Sequence, residues 1–182
     1  MDTNVNVWKA NLVNGLILGL IGIVYSLVMY FLDLTFEQWQ GWIWIVLQIV
    51  ILFLLVKTYR DNYRHGVITF GQALGAGVVI CLYNAVISAI FIYLLYTVID
   101  TNLMDKQLAY TEGLLLERGL PEEAVEMSMK IQKKIMVPEV MAPISILGSM
   151  FYGLIMSLIV AAFVRKEGNP LVDASVTDPE NK

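Results

Sequence analysis

Four stretches of this chain carry no Asp, Glu, Lys or Arg: 10–32, 38–56, 66–99 and 140–164. They run to 23, 19, 34 and 25 residues, together 101 of 182. A domain folded in water places charge along the outward side of every element, because that side faces solvent. Here all 28 charged side chains are confined to the other 81 residues. Charged residues make up 15% of the chain, against ~25% in soluble domains. A water-soluble globule is therefore excluded.

A helix rises ~1.5 Å per residue and the hydrocarbon core is ~30 Å thick, so about 20 apolar residues cross it. The runs predict four transmembrane helices near 10–32, 39–57, 73–97 and 143–164. None alternates polar and apolar residues like a barrel strand, so the spans read as helices. The third run is too long for one upright crossing, which places Gly66 to Gln72 at the interface. The first run reads as a retained helix: it exceeds a signal-peptide core of ~7–15 residues and no small-x-small cleavage pattern follows. The expected class is all-α, an integral membrane four-helix bundle. Residues 1–166 form its single domain, and 167–182 are expected to be a polar, flexible cytoplasmic tail.

Cations orient the bundle. The 33–37 connection has none, the 57–65 connection has Lys57, Arg60 and Arg64, and Arg165-Lys166 follows the last span. The 100–139 segment opposes these with Lys106, Arg118, Lys130, Lys133 and Lys134, but short loops weigh more, so the expectation is N-in and C-in at an inner (cytoplasmic) membrane. Phe36, Trp39, Trp42 and Trp44 agree as an outer aromatic belt. The 100–139 segment is then an extracytoplasmic amphipathic hairpin. Asp100, Thr101 and Asn102 are cap candidates, Gly119 ends one helix and Pro121-Glu122-Glu123 starts the next. In that second helix Ala124, Met127, Ile131 and Ile135 share a face, with Lys130, Lys133 and Lys134 beside it.

In lipid, helices associate through close approach of small residues and through hydrogen bonds, since apolar burial gives no preference. The expected packing residues are Gly15, Gly19 and Gly22 on the first span and Gly71, Gly75, Gly77 and Ala85 on the third. On the fourth they are Ser145, Ser149, Gly153 and Ser157. The second span has no such stripe and is expected at the periphery. Asn11, Asn14, Gln48, Asn84 and Ser88 are candidates to bridge helices.

Catalytic signatures are missing. There is no Walker loop, zincin helix or nucleophile elbow. Lone Cys81 and lone His65 cannot build a zinc cluster, and no cofactor is implied. No span contains an ionisable carboxylate or amine, which argues against ion-coupled pumping. A net charge of −4 offers no basic surface for nucleic acid. The one polar cluster near a span end is Tyr59, Arg60, Asp61, Arg64, His65 and Gly66. It reads either as a positive-inside anchor or as a site for a lipid phosphate.

Lys57-Thr58-Tyr59-Arg60-Asp61, then Gly66-Val67-Ile68-Thr69-Phe70-Gly71-Gln72-Ala73, resembles the signature of the domain of unknown function 4199 family of bacterial inner-membrane proteins. The Gly153 to Phe163 span with Arg165-Lys166 is similar to that family's ending. So is the Ile99-Asp100 exit, although a proline often follows there and this chain has Thr101. The resemblance implies four helices and a cytoplasmic-membrane location. It implies no activity and no site residues.

Three functional readings follow. The first is a non-enzymatic scaffold or accessory subunit. Embedded in the lipid bilayer, it would form a homodimer or join a membrane-protein partner through small-residue faces. The second is a small transporter or channel formed as an oligomer. The third is an interfacial enzyme binding a lipid phosphate at the 57–65 connection.

Overall fold

The computed structural model describes residues 6–166, apart from the side chains of Pro138 and Ala142. The expected tail at 167–182 lies outside the described residues. Four long helices, α1 (Val7–Phe31), α2 (Gln38–Tyr63), α3 (Phe70–Leu94) and α6 (Pro138–Val164), are each long and apolar enough to cross a membrane. Between α3 and α6 come a π-helical turn (Leu95–Ile99), α4 (Leu103–Glu117) and α5 (Glu122–Ile135).

Local chemistry sets the ends. Asn6 caps α1 by accepting from the backbone N–H groups of Trp8 and Lys9 at 3.0 and 3.3 Å. Thr69 and Gln72 form a reciprocal capping box at the start of α3. Gly119 takes φ +72° after α4, a left-handed conformation that costs glycine little.

Two boundaries differ from expectation. α2 continues through Tyr63, so most of the expected 57–65 connection is helix and the true turn is 64–69. Hydropathy marks where the bilayer ends, whereas Lys and Arg are good helix formers and carry the helix past it. α6 begins at Pro138, which leaves Pro143 inside the helix rather than opening it. Proline suits the first turn, where its missing N–H has no intrahelical partner. Pro143 lies one turn further in and removes only a single bond.

The helices run up, down, up, down, with α1 parallel to α3. α3 is central and packs most closely against α6 and α1, while α2 approaches less closely. α2 is nonetheless anchored: Leu52, Val56 and Tyr59 are fully buried. Outward faces are strongly apolar, with Phe31, Trp42, Leu147 and Phe163 all more than two-thirds exposed. Hydrocarbon is the solvent that suits a surface of that kind.

Close approach occurs where small residues meet. A Cβ on Gly153 would fall 2.6 Å from Cys81 Cβ, and one on Gly77 would fall 2.7 Å from Ser157 Oγ. A Cβ on Gly15 would collide with Tyr83, and one on Gly19 with Ile87 at 2.9 Å. Gly22 faces Trp44, and Ala85 is buried. Ser145 and Ser149 are half-buried. Gly71 and Gly75 differ: no atom of the described residues lies within 4 Å of the place a Cβ would take. That pair is not used for packing within this chain, because its face of α3 points away from α1 and α6.

The expected polar bridges also resolve differently. Asn11 donates to Val7 O, Asn14 to Asn11 Oδ1 and Ser88 to Asn84 Oδ1, each within one helix. Short side chains reach the preceding turn of their own helix more easily than a neighbour. Tyrosines do the bridging: Tyr25 Oη donates to Gln40 O at 2.6 Å, Tyr83 Oη to Trp8 O at 3.4 Å and Tyr30 Oη to Asp100 Oδ2 at 3.1 Å.

Candidate functional site

At the end where α2, α3 and α6 meet, the predicted cluster is a chain-reversal turn. His65 and Gly66 take φ +52° and +79°, and the Gly66 N–H bonds back to Arg60 O at 3.1 Å. Ile68 and Lys166 then pair through two backbone hydrogen bonds of 2.9 and 3.0 Å. This ties the end of α6 to the turn. Arg60 donates to Val164 O at 3.2 Å and forms an ion pair with Asp61 at 2.8 Å. The first contact sets a cation against the negative end of the α6 dipole. Arg64 donates to Tyr59 Oη at 3.2 Å, and its guanidinium lies 5.9 Å from that ring's centre. Tyr59 itself is fully buried and stacks on Tyr63. The structure thus brings Tyr59, Arg60, Asp61 and Arg64 together, with both arginines engaged inside the fold. His65 and Asp61 are exposed.

The opposite end is organised by Asp100. Its carboxylate accepts from Tyr30 Oη, from Lys106 Nζ at 3.0 Å and from the Asn102 N–H at 3.0 Å. Asn102 makes no side-chain cap, so Asp100 alone of the three cap candidates performs this work. Phe36 stacks on Tyr110 with centroids 5.4 Å apart. Together these contacts fasten α4 to the C-terminal ends of α1 and α3 and to the α1–α2 connection. The hydrogen bond from Lys106 holds the Asp100 carboxyl below the usual carboxylate range, and Asp100 holds Lys106 above the usual amine value.

The sign of the pH response follows. The carboxylate contribution is complete above the unfolded value of ~3.9 and is lost as pH falls through the lowered folded value. The amine contribution is complete below ~10.4 and is lost as pH rises through the raised folded value. Hydrogen-exchange protection of α4 is therefore expected to be level across neutral pH and to fall at both extremes. Asp100→Asn should weaken protection at neutral pH and flatten the acid limb. An unchanged acid limb in that variant would refute the assignment.

In the hairpin, Val125 and Met129 of α5 pack against Leu108 of α4. The face expected from sequence is a different one: Met127 and Ile131 are 64% and 53% exposed, and Ile135 is exposed beside them.

Sequence reasoning did not find the concavity inside the bundle. It is a cavity of about 420 Å³ between all four long helices. Thr35 and Gln40 stand at one end of it, and Gln48, Cys81 and Asn84 at the other. Gln48 lies about 12 Å along α2 from Gln40, so the cavity reaches nearly halfway through a bilayer. Its wall carries a Tyr25–Trp44 pair with centroids 5.1 Å apart. Beyond it, Leu52, Val56, Ile80 and Val160 close the bundle in one apolar cluster. The only signal in the sequence was the scatter of Gln48, Asn84, Ser88 and Ser149 over three separate spans.

The fold defines a helical protein with four long apolar helices, a pocket between them and a helical hairpin joining α3 to α6. The chain matches a family described as a protein of unknown function (DUF4199) over residues 14–166, and it belongs to that family. No curated protein and no solved structure matches it.

Proposed function

We propose that the protein is a non-enzymatic accessory subunit of a membrane complex. It would sit in a bacterial inner membrane with both termini and the 64–69 turn in the cytoplasm. Lys9, Lys57, Arg60, Arg64, Arg165 and Lys166 gather at that end, which supports this orientation through the positive-inside rule. The α4–α5 hairpin is then extracytoplasmic, and its Met127–Ile131 stripe offers the complex an apolar surface.

The observation that carries the reading is the outward glycine pair on α3. Gly15, Gly19, Gly77 and Gly153 are consumed by contacts inside the chain. Gly71 and Gly75 keep open space, on the same face as Val86, which is 42% exposed. A small-x-x-x-small pair facing lipid lets a second transmembrane helix approach its backbone closely.

Gly75→Leu tests this. In gentle detergent the wild-type protein should run as a homodimer or with a defined partner, and the variant as a monomer of unchanged melting temperature. A wild-type monomer in several detergents and in lipid nanodiscs would defeat the proposal. So would an assembly that Gly75→Leu leaves intact.

A further inference from the structure

The cavity among α1, α2, α3 and α6 contains hydrogen-bonding groups that the fold does not use. The Tyr152 hydroxyl is buried with no partner among the described residues. Gln48 is 3% exposed and lines the cavity, yet its amide makes no hydrogen bond among the described residues. Asn84 accepts from Ser88 through Oδ1, which leaves its Nδ2 donors unengaged. An unmatched polar group away from water is costly. The Tyr152 hydroxyl is such a group, and the unbonded amide N–H groups of Gln48 and Asn84 line the same cavity; together they mark a site shaped for something other than helix packing.

The lining also specifies chemistry. No Asp, Glu, Lys, Arg or His contributes to it, so a charged ligand would find no counter-ion in a low-dielectric region. The unused groups include an O–H and amide N–H donors, which a carbonyl oxygen satisfies. Trp44, Phe91 and Ile92 add an apolar wall. The volume of about 420 Å³ falls within the range of small-molecule sites.

We propose that this cavity binds one uncharged amphiphile whose polar end carries carbonyl oxygens. The carbonyls meet Tyr152, Gln48 and Asn84, and the apolar body lies along Trp44 and Phe91 towards Thr35 and Gln40. The close-packed apolar cluster beyond Gln48 makes the site a blind pocket rather than a path through the bundle. Such a ligand could be a neutral ester lipid or a lipid-soluble quinone, which share this chemistry. The inference is independent of the glycine face, which lies on a different side of α3.

The test uses the full chain in detergent micelles with two neutral probes, 1,2-dioctanoylglycerol and a decyl-substituted benzoquinone. Dioctanoyl phosphatidate serves as the charged comparison. Native mass spectrometry reads stoichiometry, and titration of the melting temperature reads affinity. One neutral probe should bind 1:1 and raise the melting temperature, and which one does so identifies the source. The phosphatidate should bind at least roughly tenfold more weakly. Gln48→Leu and Tyr152→Phe should each weaken binding roughly tenfold, one hydrogen bond's worth. Without ligand Tyr152→Phe should melt at or above the wild-type temperature, because it removes an unmatched buried hydroxyl, and Gln48→Leu should melt no lower than the wild type, because its amide makes no bond that the fold would lose. No 1:1 adduct with either neutral probe would overturn the inference, as would equal binding of the phosphatidate. The inference also fails if affinity is unchanged in both variants, or if both unfold without ligand, which would make these groups structural.

Discussion

Gly153→Leu is expected to unravel the bundle, whereas Gly148→Leu, on the same helix, leaves it intact. At Gly153 a new Cβ falls 2.6 Å from Cys81 Cβ and 3.3 Å from its sulfur. The Gly153 carbonyl also accepts the Ser157 hydroxyl at 2.6 Å, so the α3–α6 seam cannot shift there without disturbing its neighbour. Overpacking a close contact costs ~1–3 kcal/mol, and leucine adds three carbons beyond the Cβ that already collides. At Gly148 nothing among the described residues lies within 4 Å. That site faces outward, and the substitution should stay within about 0.5 kcal/mol. Unfolding in mixed micelles by an anionic detergent would measure both. Equal stability of the two variants would show that α3 and α6 do not meet as described.

The second large effect is at Tyr59. This side chain is fully buried beneath the 64–69 turn, stacked on Tyr63 and capped by Arg64. Tyr59→Ala removes a whole buried ring and should cost ~3–5 kcal/mol, as for other large aromatics. Tyr59→Phe removes only the acceptor for Arg64 and should cost ~0.5–1.5 kcal/mol. The same denaturation assay reads the pair. A mild Tyr59→Ala would mean that the ring does not hold this end together, and the cluster would then be free for a role outside folding. A severe Tyr59→Ala beside a mild Tyr59→Phe would instead identify it as the structural clasp of this end of the bundle.

That clasp shows what a linear reading can see. Tyr59, Arg60, Asp61 and Arg64 were recognisable as a polar cluster because they are adjacent along one helix. Their use was not, because the partners Val164 and Lys166 come from about a hundred residues away. The same holds for the small residues. Gly71-x-x-x-Gly75 and Gly15-x-x-x-Gly19 look alike on paper, and only the positions of Tyr83 and Ile87 separate a used face from an open one. The α5 stripe has the same limit. Its period was legible, but the hairpin interior went to Val125 and Met129, two residues to either side of Met127, because α4 lies there.

Sequence alone determined the solvent of this protein. Transfer of side chains into hydrocarbon is close to additive along a helix, so the sum over each uncharged run already dictates a crossing. It determined the number of crossings and their alternating direction on the same ground. Tertiary structure decided where the helices touch and where they part. Contact at Gly77, Cys81, Gly153 and Ser157 draws one half of the bundle shut, while bulkier pairings hold the other half open around Gln48 and Asn84. Spacing between helices depends on pairs of side chains from separate spans, and such pairs have no signature in the order of residues along any one of them.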